Sequence, residues 1–138
     1  MNTFPVRILA ADHPFYEGEC CSLIIPTPDG MYGIQAGHSN LIAVISPGTL
    51  QFRVSEQAQP QVAAISGGLV KVESGRALIL ADAIEKPEEI DLKRAQRDAD
   101  AAKEAMLQKR SIQEYHAAQA HLARALNRLQ VKQHYRGM

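Results

Sequence analysis

The sequence predicts an α+β chain: an antiparallel β-sandwich of about ten short strands over residues 1–85, followed by a helical hairpin over residues 86–138. Three observations carry this reading. From residue 3 to about 82, apolar and often β-branched residues recur at every second position, which is the period of a half-buried strand. Glycine, proline and aspartate interrupt that pattern at the short spacing of sandwich or barrel turns. At Pro87 the period changes to threes and fours, the spacing of an amphipathic helix.

In chain order, Val6, Ile8 and Ala10 alternate with Arg7, and Cys21, Leu23 and Ile25 follow turn-like material at Glu17, Gly18 and Glu19. The stretches TPDG (27–30) and SPG (46–48) are strong turns. Leu50, Phe52 and Val54 then alternate with Gln51, Arg53 and Ser55, and further short strands follow around Val62, Leu69 and Ala77–Leu80. SGG (66–68) lacks the spacing of a phosphate loop and lies between strands, so it reads as a bulge or tight connection.

Pro-Glu-Glu-Ile-Asp (87–91) predicts a helix start, because proline is tolerated in a first turn and acids there face the positive end of the helix dipole. Leu92, Ala95, Ala99, Ala102 and Met106 then form a seam, and Tyr115, Ala118, Leu122, Ala125 and Leu129 form a second one. Lys109, Arg110 and Ser111 separate the two, with Ser111 and Glu114 spaced as a capping box, so the seams close as an antiparallel hairpin. Both seams are mostly methyl groups. Each buried methyl contributes about 0.8 kcal/mol, whereas ordering a residue costs about 1–2 kcal/mol. The hairpin is therefore marginal by itself and suited to two arrangements.

The chain has 138 residues, enough for one ordinary core, and a formal net charge of zero from 15 basic and 15 acidic residues. The whole-chain charge thus favours neither nucleic acid nor an anionic membrane. Residues 1–83 carry four bases and seven acids, so the basic excess lies in the tail. There Arg124, Arg128, Lys132 and Arg136 recur every four residues as one cationic stripe, either a solvated face or a contact for phosphate or carboxylate oxygens. Arg94 and Asp91, one turn apart, join it if the hairpin closes. Cys20 and Cys21 are adjacent, point to opposite faces of a strand and lack a nearby base, so they read as small strand residues in a reducing compartment. The five histidines have no catalytic or metal-ligand spacing, and no metal site is expected. No segment approaches the ~20 apolar residues that span a bilayer, and the N-terminus lacks a secretory core.

The stretches GMYGIQAGHSNLIAVISPGTLQFR (30–53), AISGGLVKV (64–72), LADAIEKPEEIDLKRA (80–95) and LARALNRLQV (122–131) resemble, in order, the epsilon subunit of the bacterial F-type ATP synthase, called delta in mitochondria. The resemblance covers nearly the whole chain. It implies a non-catalytic subunit of the central rotor at the cytoplasmic face of the membrane, coupling proton flow to ATP synthesis with no active site of its own. The implied partners are the gamma subunit, the c-ring of the membrane sector and, through an extended helical arm, the catalytic beta and alpha subunits, with no nucleic acid. Asp29, Gly30, Met31, Tyr32 and Gly33, with His38, Ser39 and Asn40, match the family's ring-contact loops. The family's His-Ala-Pro-Leu is His38, Ser39, Asn40 and Leu41 here, and the missing proline predicts a less stiff loop.

The resemblance further implies that the basic stripe inhibits hydrolysis when the arm extends. It also implies that ATP, a regulatory ligand rather than a required cofactor, favours the closed hairpin through Glu85, Ile90, Asp91, Arg94, Ala95, Arg124 and Arg128. One arginine of that family pattern is Ala101 here, which removes a phosphate contact. The alternatives are a stand-alone ATP-sensing or nucleic-acid-binding module that uses the basic helix, or a small enzyme with a helical lid. For the enzyme, no acid, base or nucleophile set converges in the sequence.

Overall fold

In the computed structural model, which describes residues 2–108 and 112–135, the chain separates into two compact units, Met1–Glu85 and Lys86–Met138. The first contains ten strands: β1 (Phe4–Ala10), β2 (Pro14–Cys20), β3 (Ser22–Thr27), β4 (Gly30–Ile34), β5 (Leu41–Ile45), β6 (Gly48–Arg53), β7 (Gln61–Ile65), β8 (Gly68–Glu73), β9 (Arg76–Ala81) and β10 (Ile84–Glu85). They form two five-stranded sheets in the orders β2-β1-β9-β8-β5 and β10-β7-β6-β3-β4. The sandwich is as the period-two pattern predicts. One ladder departs from the antiparallel rule: β1 runs parallel to β9, with Val6 opposite Ala77 and Ile8 opposite Ile79.

Alternation places Val6 and Ile8 of β1, Leu23 and Ile25 of β3, Leu50 and Phe52 of β6, Val70 of β8 and Ile79 of β9 in one core. A fully buried Val, Leu or Ile contributes about 1.5–3 kcal/mol. No polar or charged residue among the described residues is buried. Both cysteines are buried and free, and burial pushes the Cys20 thiol up rather than activating it.

Two turns follow their sequence signals. Pro28 and Asp29 connect β3 to β4, where the Thr27 hydroxyl donates to the Gly30 carbonyl at 2.6 Å and accepts from the Asp29 amide at 3.3 Å. Residues 66 and 67 link β7 to β8, which Gly68 opens, as expected of SGG, with Gly67 and Gly68 at φ +127° and +150°. Glu17, Gly18 and Glu19, by contrast, are not a turn. They lie in β2, an edge strand, where glycine and outward-pointing acids are tolerated, and the reversal before it falls at Ala11–His13.

In the second unit, Pro87–Glu89 is a separate 3₁₀ turn, and Ile90 is extended at φ −80° and ψ 124°. The first α-helix, α1 (Leu92–Gln108), therefore begins five residues after the proline and is capped by Asp91. The second, α2 (Ile112–His134), packs along it. Ala95, Ala99 and Ala102 of α1 and Ala118 and Ala125 of α2 are buried, as the seams predict, and Val131, outside both seams, is buried as well. Ser111, the cap expected for α2, and the interrupting Lys109 and Arg110 lie outside the described residues, as does Arg136.

Candidate functional site

In the helical unit, the aspartate of IDLKRA is held by backbone. Asp91 Oδ1 accepts the amides of Lys93 at 3.0 Å and Arg94 at 3.2 Å, while its carbonyl accepts the Ala95 amide at 2.9 Å. This is an N-cap, satisfying donors that the first turn of any helix leaves unpaired. The Arg94 amide does most to hold the Asp91 carboxyl below its ordinary value of 3.8; desolvation, the next largest effect, opposes it, and the Lys93 amide and the guanidiniums of Arg97 and Arg94 add to the lowering. A depressed carboxylate contributes stability in full above its unfolded value and loses it as pH falls through the folded one. The first turn of α1 should therefore fray as pH drops below about 4. Asp91→Asn should remove that pH dependence while keeping the cap, and Asp91→Ala should lower amide-exchange protection at Lys93 and Arg94 roughly fivefold. Equal protection in all three chains would contradict the capping role.

The basic stripe is drawn inward at two of its positions. Lys132 Nζ, part-buried, donates to the Pro87 carbonyl at 2.9 Å, and Arg128 Nη1 donates to Asp98 Oδ2 at 3.5 Å. The first ties the end of α2 to the 3₁₀ turn, and the second ties α2 to α1. Arg124 and Arg94 are exposed, Ile90 and Ala95 are buried, and Ala101 is exposed on α1. Ile90, Asp91, Arg94, Ala95, Arg124 and Arg128 thus all belong to the helical unit, whereas Glu85 ends β10 in the sandwich unit.

In the sandwich unit, Asp29–Gly33 form the β3–β4 turn and the start of β4, an edge strand, with Met31 and Tyr32 exposed. Six residues on, His38 Nε2 lies 2.7 Å from the Tyr32 hydroxyl, and Nδ1 lies 2.6 Å from the Ser39 carbonyl. A carbonyl only accepts, so the proton sits on Nδ1 and the Tyr32 hydroxyl donates to Nε2. Asn40 Oδ1 accepts the Ser74 amide of the β8–β9 turn at 3.2 Å. His38 and Asn40 are therefore both tied down, His38 to the Tyr32 hydroxyl and the Ser39 carbonyl and Asn40 to the Ser74 amide.

A third feature is one that strand periodicity does not anticipate. The outer face of the first sheet carries an unbroken apolar row. Val44 on β5 lies opposite Leu69 on β8, Leu69 opposite Leu80 on β9, and Leu80 opposite Leu9 on β1. Val44, Leu69 and Leu80 are about half exposed, and Ile42, two residues along β5 from Val44, is 72% exposed. A soluble sheet face is normally polar, and a contiguous apolar patch marks an interaction surface. The signal for it lies in LIAVI (41–45) and ALILA (77–81), which are continuous apolar runs rather than alternating ones.

Among the described residues, no three His, Cys, Asp or Glu side chains are grouped to share a metal ion, and no helix is long and apolar enough to cross a membrane. The combination is a ten-stranded sandwich with an apolar outer face, joined to a helical hairpin with an alanine seam. The two units coincide closely with two family profiles: ATP synthase, Delta/Epsilon chain, beta-sandwich domain over residues 3–87, and ATP synthase, Delta/Epsilon chain, long alpha-helix domain over residues 88–133. The chain belongs to the delta/epsilon chain family of ATP synthase. It is 42% identical over 138 residues to the ATP synthase epsilon chain of Caldanaerobacter subterraneus subsp. tengcongensis, covering 99% of both chains. It is 37% identical over 131 residues to that of Caldicellulosiruptor bescii, covering 95% of this chain and 94% of the relative. Among solved structures it resembles a chain of the Euglena gracilis mitochondrial ATP synthase OSCP/F1/c-ring assembly, with a TM-score of 0.74 and 21% identity over 88% of this chain and 76% of that one. It also resembles a chain of the Tetrahymena thermophila mitochondrial central stalk and c-ring, with a TM-score of 0.63 and 13% identity over 93% and 95%. At these identities the structural likeness speaks for the fold.

Proposed function

We propose that the chain is a non-catalytic rotor subunit of a membrane-bound, proton-translocating F-type ATP synthase, held peripherally at the cytoplasmic face. Its sandwich docks on the gamma subunit and, through Asp29–Gly33 and His38–Asn40, on the c-ring. Its helical arm regulates ATP hydrolysis at the beta and alpha subunits. The observation that carries this reading is the apolar row Val44, Leu69, Leu80 and Leu9, a surface that a free monomer has no reason to display. Family membership agrees with it. Co-expression with the gamma subunit of the same organism tests it: a stable two-subunit complex is expected, and separate elution of the two would overturn the reading.

Regulation arises from the weak seam. A ligand that contacts only the closed hairpin stabilises it by RT ln(1 + [L]/Kd), about 2.7 kcal/mol at a hundredfold excess over Kd. Arg94 and Arg124, both exposed on the helical unit, supply charge for the phosphates of ATP. Amide exchange across α1 and α2 should slow saturably when the chain is titrated with magnesium ATP. No response up to millimolar nucleotide would remove the sensor role and leave the rotor role standing.

A further inference from the structure

The hairpin carries an anion of its own on one of the guanidiniums that a bound polyphosphate would use. Asp98 Oδ2 accepts from Arg128 Nη1 at 3.5 Å, and the side chains are 52% and 23% exposed, respectively. Asp98 also lies four residues beyond Arg94, one turn along the same face of α1. A polyphosphate gripped by a base from each helix would place its oxygens where this carboxylate stands. Two anions on one guanidinium repel, so the phosphate must displace Asp98 from Arg128 or bind beside its charge.

We infer that Asp98 is a built-in competitor for phosphate at Arg128, closing the hairpin weakly in the absence of ligand and lowering its affinity for nucleoside polyphosphates. The inference rests on the nucleotide reading of the hairpin. An intramolecular carboxylate has two effects of opposite sign. It neutralises Arg128 and links α1 to α2 when no ligand is present, and it subtracts the same interaction from ligand binding, because the ion pair is broken in exchange. A part-exposed pair is a modest competitor, so the tuning is moderate.

The test compares the full chain with Asp98→Asn and Asp100→Asn, using calorimetric titration with magnesium ATP. Asp100 is the control: it is two residues along α1, exposed, and held by the Gln96 amide at 3.1 Å. Both variants remove one charge, but only the first removes it at Arg128. Asp98→Asn should bind magnesium ATP roughly 3- to 10-fold more tightly, with Asp100→Asn within about 1.5-fold of the parent. In the absence of nucleotide, Asp98→Asn should lose roughly 2- to 5-fold of the amide protection in α2. Measurable binding with equal affinity in all three chains overturns the competitor and spares the nucleotide reading, as does a gain shared by Asp100→Asn. Binding by none of them up to about 5 mM, far above the range in which a regulatory nucleotide site would be filled, overturns the nucleotide reading and this inference with it.

Discussion

Replacing Gly68 by alanine should destabilise the sandwich by about 3–5 kcal/mol, the sum of backbone strain and overpacking. Gly68 opens β8, an interior strand of its sheet, opposite Ile45 on one side and Ala81 on the other. Its φ of +150° is one that L side chains rarely adopt. A Cβ built there would collide with the Leu80 carbonyl oxygen and stand 3.0 Å from the Ala81 Cα. These are backbone atoms of the interior β8–β9 ladder, and they cannot step aside as the end of a flexible side chain would. Gly33 is the matching control, since a Cβ there meets nothing within 4 Å and its φ is not positive. Gly33→Ala should stay within about 0.5 kcal/mol of the parent. Urea unfolding of the full chains measures both, and a Gly68→Ala midpoint indistinguishable from that of Gly33→Ala would refute the argument.

The legibility of this chain obeys the same physics. The strands can be read because one face of each is buried and the side-chain period is two, which Val6, Ile8, Leu50 and Phe52 obey. The hairpin seams can be read because burial on a helix requires intervals of three and four, and five of the alanines so placed are buried. β2 is hidden for the complementary reason. An edge strand needs no alternation, and Glu17-Gly18-Glu19 has the composition of a turn and the position of an edge. The helix start reads too early because Pro-Glu-Glu satisfies the first-turn rules for a 3₁₀ turn as well as for an α-helix. The deciding residue is Asp91, whose carboxylate caps the amides of Lys93 and Arg94 and none before them.

The candidate site is legible in residue type but not in partnership. That Arg128 and Lys132 share a stripe can be read from spacing, whereas their bonds to Asp98 and to the Pro87 carbonyl depend on how two helices and a turn meet. The apolar row is a cross-strand property. Val44, Leu69, Leu80 and Leu9 come from four strands, and only the register of three ladders aligns them.

That alignment sets the second large effect. Leu69→Lys places an ammonium at the centre of the row, between Val44 and Leu80. Docking of an apolar partner surface would then require the ammonium to be desolvated without a counter-charge, on top of the lost leucine contact. Central, fully desolvated positions of this kind cost about 2–4 kcal/mol in binding, which is roughly 30- to 1,000-fold in Kd. The free chain should hardly change, because Leu69 is 47% exposed and its β8 neighbours Gly68 and Val70 are left as they are. Gln57→Lys adds the same charge at an exposed loop position and should bind gamma as the parent does. Titrating gamma against the three chains, with thermal unfolding as the check on folding, distinguishes the outcomes. Loss of binding in Leu69→Lys alone, with unfolding unchanged, identifies the sheet face as the docking surface. Equal binding by all three chains would move the gamma contact away from this face, leaving the row without a partner.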